Sequence, residues 1–420
     1  MGMNRQNTQY SITSADSKRE EKREARRTSP LPASLTLLFA VAAGLSVANI
    51  YFAQPLLDMI ALEFGIQPAS IGSMITITQI CYALGLFFLV PLGDFLNQKR
   101  LVLAHMLLTA IALIIVGTAS EKSLLLAGFA LVGLLAVVVQ VLVAFASKLS
   151  SPASRGQTVG MVTSGIVIGI LLARTFAGIV SDLAGWRAVY YVSAALTLLL
   201  AAILFRALPG SHRQPMELSY PQLLRSMLAL FVHEPVLRIR AILCMLIFTV
   251  FSILWTPLVL PLSAPPLSLA HSVIGLFGLA GAAGAIGAAR AGRLADRGFG
   301  QRTTFVALLI LIASWLPISL LQHSLWALAA GIVILDLAVQ AVHVTNQAMI
   351  LSAQSAAGSR LTATYMIFYS IGSAAGAIAS TVVYAYSGWS GVCVLGAAVS
   401  TLTLLFWSFT KHHMPAAMRS

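Results

Sequence analysis

The chain has 420 residues, 58% of them hydrophobic and only 9% charged, with a mean hydropathy of +0.89. Soluble domains carry roughly 25% charged residues, so this composition excludes an ordinary soluble fold. The net charge of +13 does not point to nucleic acid either, because the cations sit in tails and connections rather than on one face.

Residues 1–33 hold seven of the 26 Lys/Arg in a Ser/Thr/Glu-rich, weakly apolar stretch, which is expected to be a disordered basic cytoplasmic tail. Apolar runs follow near 34–58, 70–94, 100–119, 123–147, 157–181 and 187–206. After a polar stretch over 209–235 come 237–263, 271–294, 303–321, 324–351, 361–386 and 390–410. Each is long enough to cross a bilayer of roughly 30 Å as a helix. Unbroken runs such as 101–118 and 124–146 lack the alternation of barrel strands, so the backbone must satisfy itself within helices. The expected fold is an all-α membrane protein with twelve transmembrane helices in two six-helix halves, 34–207 and 237–411. A cytoplasmic linker, 208–236, joins them, and a cytoplasmic tail, 412–420, ends the chain. The segment from Tyr220 onward is expected to lie as a short amphipathic helix on the membrane face.

The charges test this layout. With the N-terminus inside, Lys122 and Arg187 alone fall on outer connections, and Arg174 falls within a helix. The other cations are assigned to the inner side, as the positive-inside rule requires. Both termini are therefore expected in the cytoplasm, with the chain multi-pass in a bacterial inner membrane. Cys81, Cys244 and Cys393 lie inside predicted spans and read as small buried hydrophobes. With no Cys/His cluster, no disulfide, metal or cofactor is expected.

An internal repeat is visible. Asp94 matches Asp296 at a spacing of 202, Val139-Gln140 matches Val339-Gln340 at 200, Ser154-Arg155 matches Ser359-Arg360 at 205, and Gly185-Trp186 matches Gly388-Trp389 at 203. Four pairs in order at nearly one offset indicate duplication of a six-helix unit. Parallel halves of this kind place a solute site at their interface near the bilayer midplane.

The stretch Gly292-Arg-Leu-Ala-Asp-Arg-Gly-Phe-Gly-Gln-Arg302 and its degenerate copy Pro91-Leu-Gly-Asp-Phe-Leu-Asn-Gln-Lys-Arg100 carry a family likeness. So do Asn49-Ile-Tyr-Phe-Ala-Gln-Pro55, Phe251-Ser-Ile-Leu-Trp-Thr256 and Gly185-Trp-Arg187. Through these the chain resembles the major facilitator superfamily, and within it the bacterial drug and metabolite (sugar efflux-like) proton antiporter branch. The likeness covers 34–410. It implies a conformational latch formed by Asp94, Lys99, Arg100, Arg293, Asp296 and Arg297. Helix 5 carries glycines at 160, 165, 169 and 178 but lacks the proline usual among the antiporters of that superfamily.

Ionisable residues at bilayer depth cost about 2.5–3.5 kcal/mol on insertion scales and usually serve transport. Asp336 in helix 10 and Arg174 in helix 5 fall at similar depths, and they are expected to interact directly or through solute. Asp336, Gln340 and His343 share one helical stripe. Burial favours the neutral form of a carboxylic acid, and histidine titrates near neutrality. Asp336, relayed by His343, is thus the expected proton-coupling site. The resemblance implies a cavity lined by helices 1, 4, 7 and 10, which makes Asn49, Tyr51, Gln54, Gln140, Ser252, Trp255 and Gln340 candidates for its lining. Asp58 is expected at the outer interface, and the glycines of helices 8 and 11 on the sliding surface between halves.

The function expected is secondary active transport of a small organic solute, proton-coupled and outward, by a monomer embedded in lipid with no nucleic-acid partner. The alternatives are a proton-coupled uptake symporter and a non-transporting membrane sensor. No GxxxxGK[ST] loop is present, which argues against an ATP-driven pump. No nucleophile or metal constellation points to an enzyme. The sparsely charged cavity suits neutral or cationic amphiphiles.

Overall fold

The computed structural model describes residues 31–151, 154–208, 219–287, 289–353 and 358–414. The expected tail before residue 31, the linker residues 209–218 and residues 415–420 lie outside the described residues. Among the described residues the chain is helical throughout, with no strand.

The first half contains α1 (Ala33–Glu63), α2 (Pro68–Phe88), α3 (Gln98–Thr118), α4 (Lys122–Leu149), α5 (Arg155–Ala184) and α6 (Trp186–Ala207). The second contains α7 (Pro235–Ser263), α8 (His271–Gly287), α9 (Arg297–Ser319) and α10 (Leu325–Ala353). It closes with a run, Gly358–Thr410, that Gly388 breaks into α11 and α12. Twelve spans in two sixes result. Prolines mark interior breaks: α1 tightens to a 3-10 turn at Gln54–Leu56 around Pro55, and α7 breaks between Trp255 and Val259 at Pro257. Both follow from the lost N–H and the ring clash of proline in a helix.

The halves are built alike. α1 packs on α5, α2 on α4 and α3 on α6; correspondingly α7 packs on α11, α8 on α10 and α9 on α12. Across the seam α5 meets α8 and α2 meets α11, an arrangement that maps onto itself when the halves are exchanged. The Gly-Trp repeat pairs have a shared structural cause. Gly185 (φ 81°, ψ 163°) and Gly388 (φ 59°, ψ −157°) each reverse the chain between two helices in one residue. That backbone region is essentially closed to residues bearing a Cβ. Each following tryptophan pins the turn: Trp186 Nε1 donates to Glu63 Oε2 at 2.7 Å, and Trp389 Nε1 to the Ile318 carbonyl at 3.1 Å.

The small residues of α8 and α11 divide their work differently from the expectation. Gly275 and Gly278 do face α5 across the seam, but Gly281 and Gly284 face α10 within their own half. Gly372 and Gly376 face α7, and it is Ala374, Ala377 and Thr381 of α11 that lie against α2 and its first turn. The helical period accounts for this: a spacing of three drifts round the axis, and the nine residues from Gly275 to Gly284 carry the stripe through half a turn. A linker helix, Tyr220–His233, begins with a capping box at Ser219 and Gln222. It hydrogen-bonds both halves, through Tyr220 to the Phe88 carbonyl (2.7 Å) and through Arg360 to Ser226 (3.0 Å).

Candidate functional site

Arg174 and Asp336, one from each half, are buried to 2% and 3% exposure. Among the described residues no hydrogen bond or ion pair joins them directly. Trp255 of α7, itself buried, stands between. Its indole Nε1 donates to Asp336 Oδ1 at 3.2 Å, and the Arg174 guanidinium lies 3.8 Å from its ring centroid. Such a desolvated cation over an indole contributes about 2 kcal/mol. Arg174 Nε also donates to Gln54 Oε1 at 2.9 Å, at the turn that Pro55 forces in α1. The Tyr51 and Phe251 rings flank the guanidinium at 5.3 and 5.6 Å, while its two terminal nitrogens have no partner. Gly281 completes the seat, because a Cβ there would collide with Asp336 Oδ2.

This group unites five residues singled out from sequence: Tyr51, Gln54, Arg174, Trp255 and Asp336. Tyr51 further joins the halves by a hydroxyl–hydroxyl hydrogen bond to Tyr369 of α11. The others lie elsewhere. Asn49 accepts from Ser193 of α6 at 2.6 Å, inside the first half, and Ser252 packs against Gly376 of α11. Gln140 is half-buried beside Tyr82, and Gln340 is half-buried on α10. His343 turns away from Asp336 toward the Tyr365 hydroxyl (2.9 Å) and the Phe248 ring.

For the expected latch, the side chains of Asp94, Arg293 and Asp296 lie outside the described residues. Lys99 Nζ donates to the Leu208 carbonyl at the end of α6 (2.6 Å), and the side chains of Arg100 and Arg297 are exposed. The Lys99 contact places a cation against a helix C-terminus, where the dipole favours it.

Two features escaped the sequence reading. At the end of the bundle away from the termini, His271 of α8 meets both oxygens of Asp58 (3.0 Å each) and Oδ1 of Asp182 (3.5 Å). Asp182 also accepts from the backbone N–H groups of His271 and Ser272 at 3.1 and 2.7 Å, capping α8 from the opposite half. The result is a charged clamp across the seam. The second is Arg240 of α7, which the charge count assigned to the inner side of the membrane. It is instead buried to 1% exposure, its Nη1 donating to Thr304 (3.0 Å) and Asn346 (3.2 Å). Proximity to Arg238 and to the helix start made it look like an orientation charge; its rotation about the helix is what buries it.

The Major Facilitator Superfamily model matches residues 38–297 and 241–418. The uncharacterized transporter YgaY of Escherichia coli O157:H7 is 46% identical over 387 residues, covering 92% of this chain and 98% of that one. The "Probable transporter SCO4007" of Streptomyces coelicolor is 32% identical, covering 86% and 84%. Among solved structures, a bacterial homolog of the human lysosomal transporter Spinster, in an inward-facing and occupied conformation, superposes with a TM-score of 0.76. It covers 92% of this chain and 98% of that one at 14% identity, a likeness of fold.

Proposed function

The chain belongs to the Major Facilitator Superfamily, and from that premise we propose that it exports a small organic solute by alternating access, driven by protons exchanged at Asp336. The observation that carries this reading is the pair of buried opposite charges, one on each half, held apart by a single indole. Protonating Asp336 would remove the anion at the indole edge and with it the attraction that the carboxylate exerts on Arg174 of the other half, so proton binding and rocking would share a joint.

The conformation fits such a cycle. The contacts between halves through His271, Thr175–Gly275 and Thr76–Ala374 lie toward the end away from the termini. Reading both termini as cytoplasmic from the Lys/Arg asymmetry makes that state the inward-facing one of the proposed cycle in a bacterial inner membrane. Asp94, Lys99, Arg100, Arg293, Asp296 and Arg297 are proposed as the latch on the cytoplasmic side. A monomer suffices, since each half supplies one side of the site.

The test is proton movement in proteoliposomes carrying a pH-sensitive dye. A solute first identified by comparing the sensitivity of deletion and overexpression strains is added to wild type and to Asp336→Asn. Proton flux coupled to solute is expected in wild type and absent in the variant. Unchanged coupling in the variant would remove Asp336 from the role, and solute moving inward with protons would replace export by uptake.

A further inference from the structure

Arg240 is a buried cation with no buried anion paired to it among the described residues. Its partners Thr304 and Asn346 are neutral, its Nε has no partner, and among the described residues no carboxylate is within ion-pair reach. Asp336 is already engaged by Trp255, and it sits seven residues before His343, about 10 Å along α10. The interior thus holds two guanidiniums, Arg174 and Arg240, against one described carboxylate. The clamp acids Asp58 and Asp182 are spent on His271 at the far end. An uncompensated charge in a dry interior is costly, and truncating its neighbours' polarity does not relieve it.

Between the two cations runs a row of rings. Tyr51 bonds Tyr369, whose ring lies 4.1 Å from Phe248; Phe248 lies 5.2 Å from His343, and His343 5.5 Å from Tyr365, which bonds Asn346. His343 and Gln347 are half-buried, the least enclosed members of the row and its neighbourhood, beside the Arg240 network.

We infer that the transported solute is an aromatic organic anion, its acid group neutralising Arg240 through the Asn346–Tyr365–His343 network and its ring lying along Phe248. This deepens the export reading and rests on it. It differs from the neutral or cationic solute expected from the sparse charge of the sequence: the buried charges are few, but the described ones, Arg174, Arg240 and Asp336, sum to positive. Guanidinium with amide and phenol donors suits carboxylate or sulfonate oxygens.

The experiment uses the purified full-length protein in detergent and three probes of one shape: naphthoate, naphthalenemethanol and naphthylmethylammonium. Their effect on the thermal unfolding midpoint is read, with naphthalenesulfonate as a further arm to separate carboxylate from sulfonate preference. Naphthoate or its sulfonate is expected to stabilise the protein while the alcohol and the amine do not. R240Q should raise the half-effective anion concentration by about tenfold or more, as loss of a charged hydrogen-bond partner implies, and R240K, which keeps the charge without the fork, should fall between wild type and R240Q. If R240Q is not monodisperse, H343F keeps the ring contacts, removes the hydrogen bonds and should also weaken the response. Stabilisation by the amine, no response to either anion, or a response unmoved by both R240Q and H343F would overturn the inference. Anion binding by a protein that moves no solute in vesicles would keep the anion site at Arg240 and remove the export reading, and with it the claim that the anion is transported.

Discussion

Arg174 and Asp336 hold the same indole from two directions, the guanidinium over the ring of Trp255 and the carboxylate at its Nε1 edge. The two charges of opposite halves are therefore coupled through a side chain with a fixed polarity, negative over its face and positive at its N–H. A direct ion pair would be indifferent to which half carried which sign. This arrangement is not.

That asymmetry makes a charge exchange informative. In the double variant Arg174→Asp with Asp336→Arg, a carboxylate would face the ring and a guanidinium would face an N–H donor, both unfavourable. Transport in the double variant is expected to stay at the level of the worse single variant. Restoration to even a tenth of wild-type solute flux would show that the pair acts directly and that Trp255 is incidental.

Trp255 itself should be replaceable only in part. Trp255→Phe keeps a ring beneath Arg174 but removes the donor to Asp336, a hydrogen bond to a charged group that contributes about 1.5–3 kcal/mol. Trp255→Leu removes both. Flux is expected to fall in the order wild type, Phe, Leu, with the Phe variant losing about tenfold or more. Equal activity of Phe and wild type would free Asp336 from the indole.

Gly281 is the least conspicuous member of the site and one of the most constrained. A methyl group there meets Asp336 Oδ2 and, at 3.1 Å, Trp255 Cζ2. Gly281→Ala should cost about 1–3 kcal/mol as overpacking and displace the carboxylate from the indole. The expected result is folded protein with a lowered unfolding midpoint and flux reduced as far as in Asp336→Asn. Since Gly275, in the same helix, packs against backbone at Arg174 rather than against the carboxylate, Gly275→Ala should disturb the seam but leave proton coupling per solute unchanged.

Much of this architecture could be read from residues alone, and the reasons for the remainder are physical. Runs of apolar residues fixed the number of spans because each must satisfy its own backbone in lipid. The depth of Arg174 and Asp336 followed from counting residues at a constant rise. Rotation about the helix axis did not follow, because in a span apolar all round no polar stripe marks the inward face. Hence Asn49 and Ser252, on helices expected to line the cavity, face neighbours in their own halves, and Arg240 passed for a surface charge. Pairings across 213 residues, such as Asp58 with His271, depend on how two halves meet. A single sequence shows the two residues at helix ends but not that the ends adjoin.

That clamp has a consequence for conformation. A protonated His271 binds two carboxylates of the opposite half, so the closed far end is stabilised when the imidazole carries its proton. Raising pH through the histidine titration removes the charge and weakens the clamp, while the bonds from the α8 backbone N–H groups to Asp182 persist. His271→Ala should mimic high pH. A cysteine placed in the seam at Ala374 is expected to react faster with a membrane-impermeant thiol reagent added from the far side in that variant. In the parent the same rate should rise with pH after correction for thiolate content. A rate equal in both proteins and flat with pH would show the clamp to be ornamental.

The repeated turns provide a test of the duplication in terms of backbone energy. Gly185 and Gly388 occupy the same backbone region, with positive φ and ψ near ±180°, which admits a side chain only with strain of about 1–3 kcal/mol. No neighbouring atom lies within 4 Å of a Cβ built at either position, so a substitution there reports backbone strain and not crowding. Gly185→Ala and Gly388→Ala should therefore lower the unfolding midpoint by similar amounts, and the double variant by their sum, because the turns sit in different halves. If one turn accepted Ala without loss, the two would not be equivalent in energy, and the common origin of the halves would rest on packing alone.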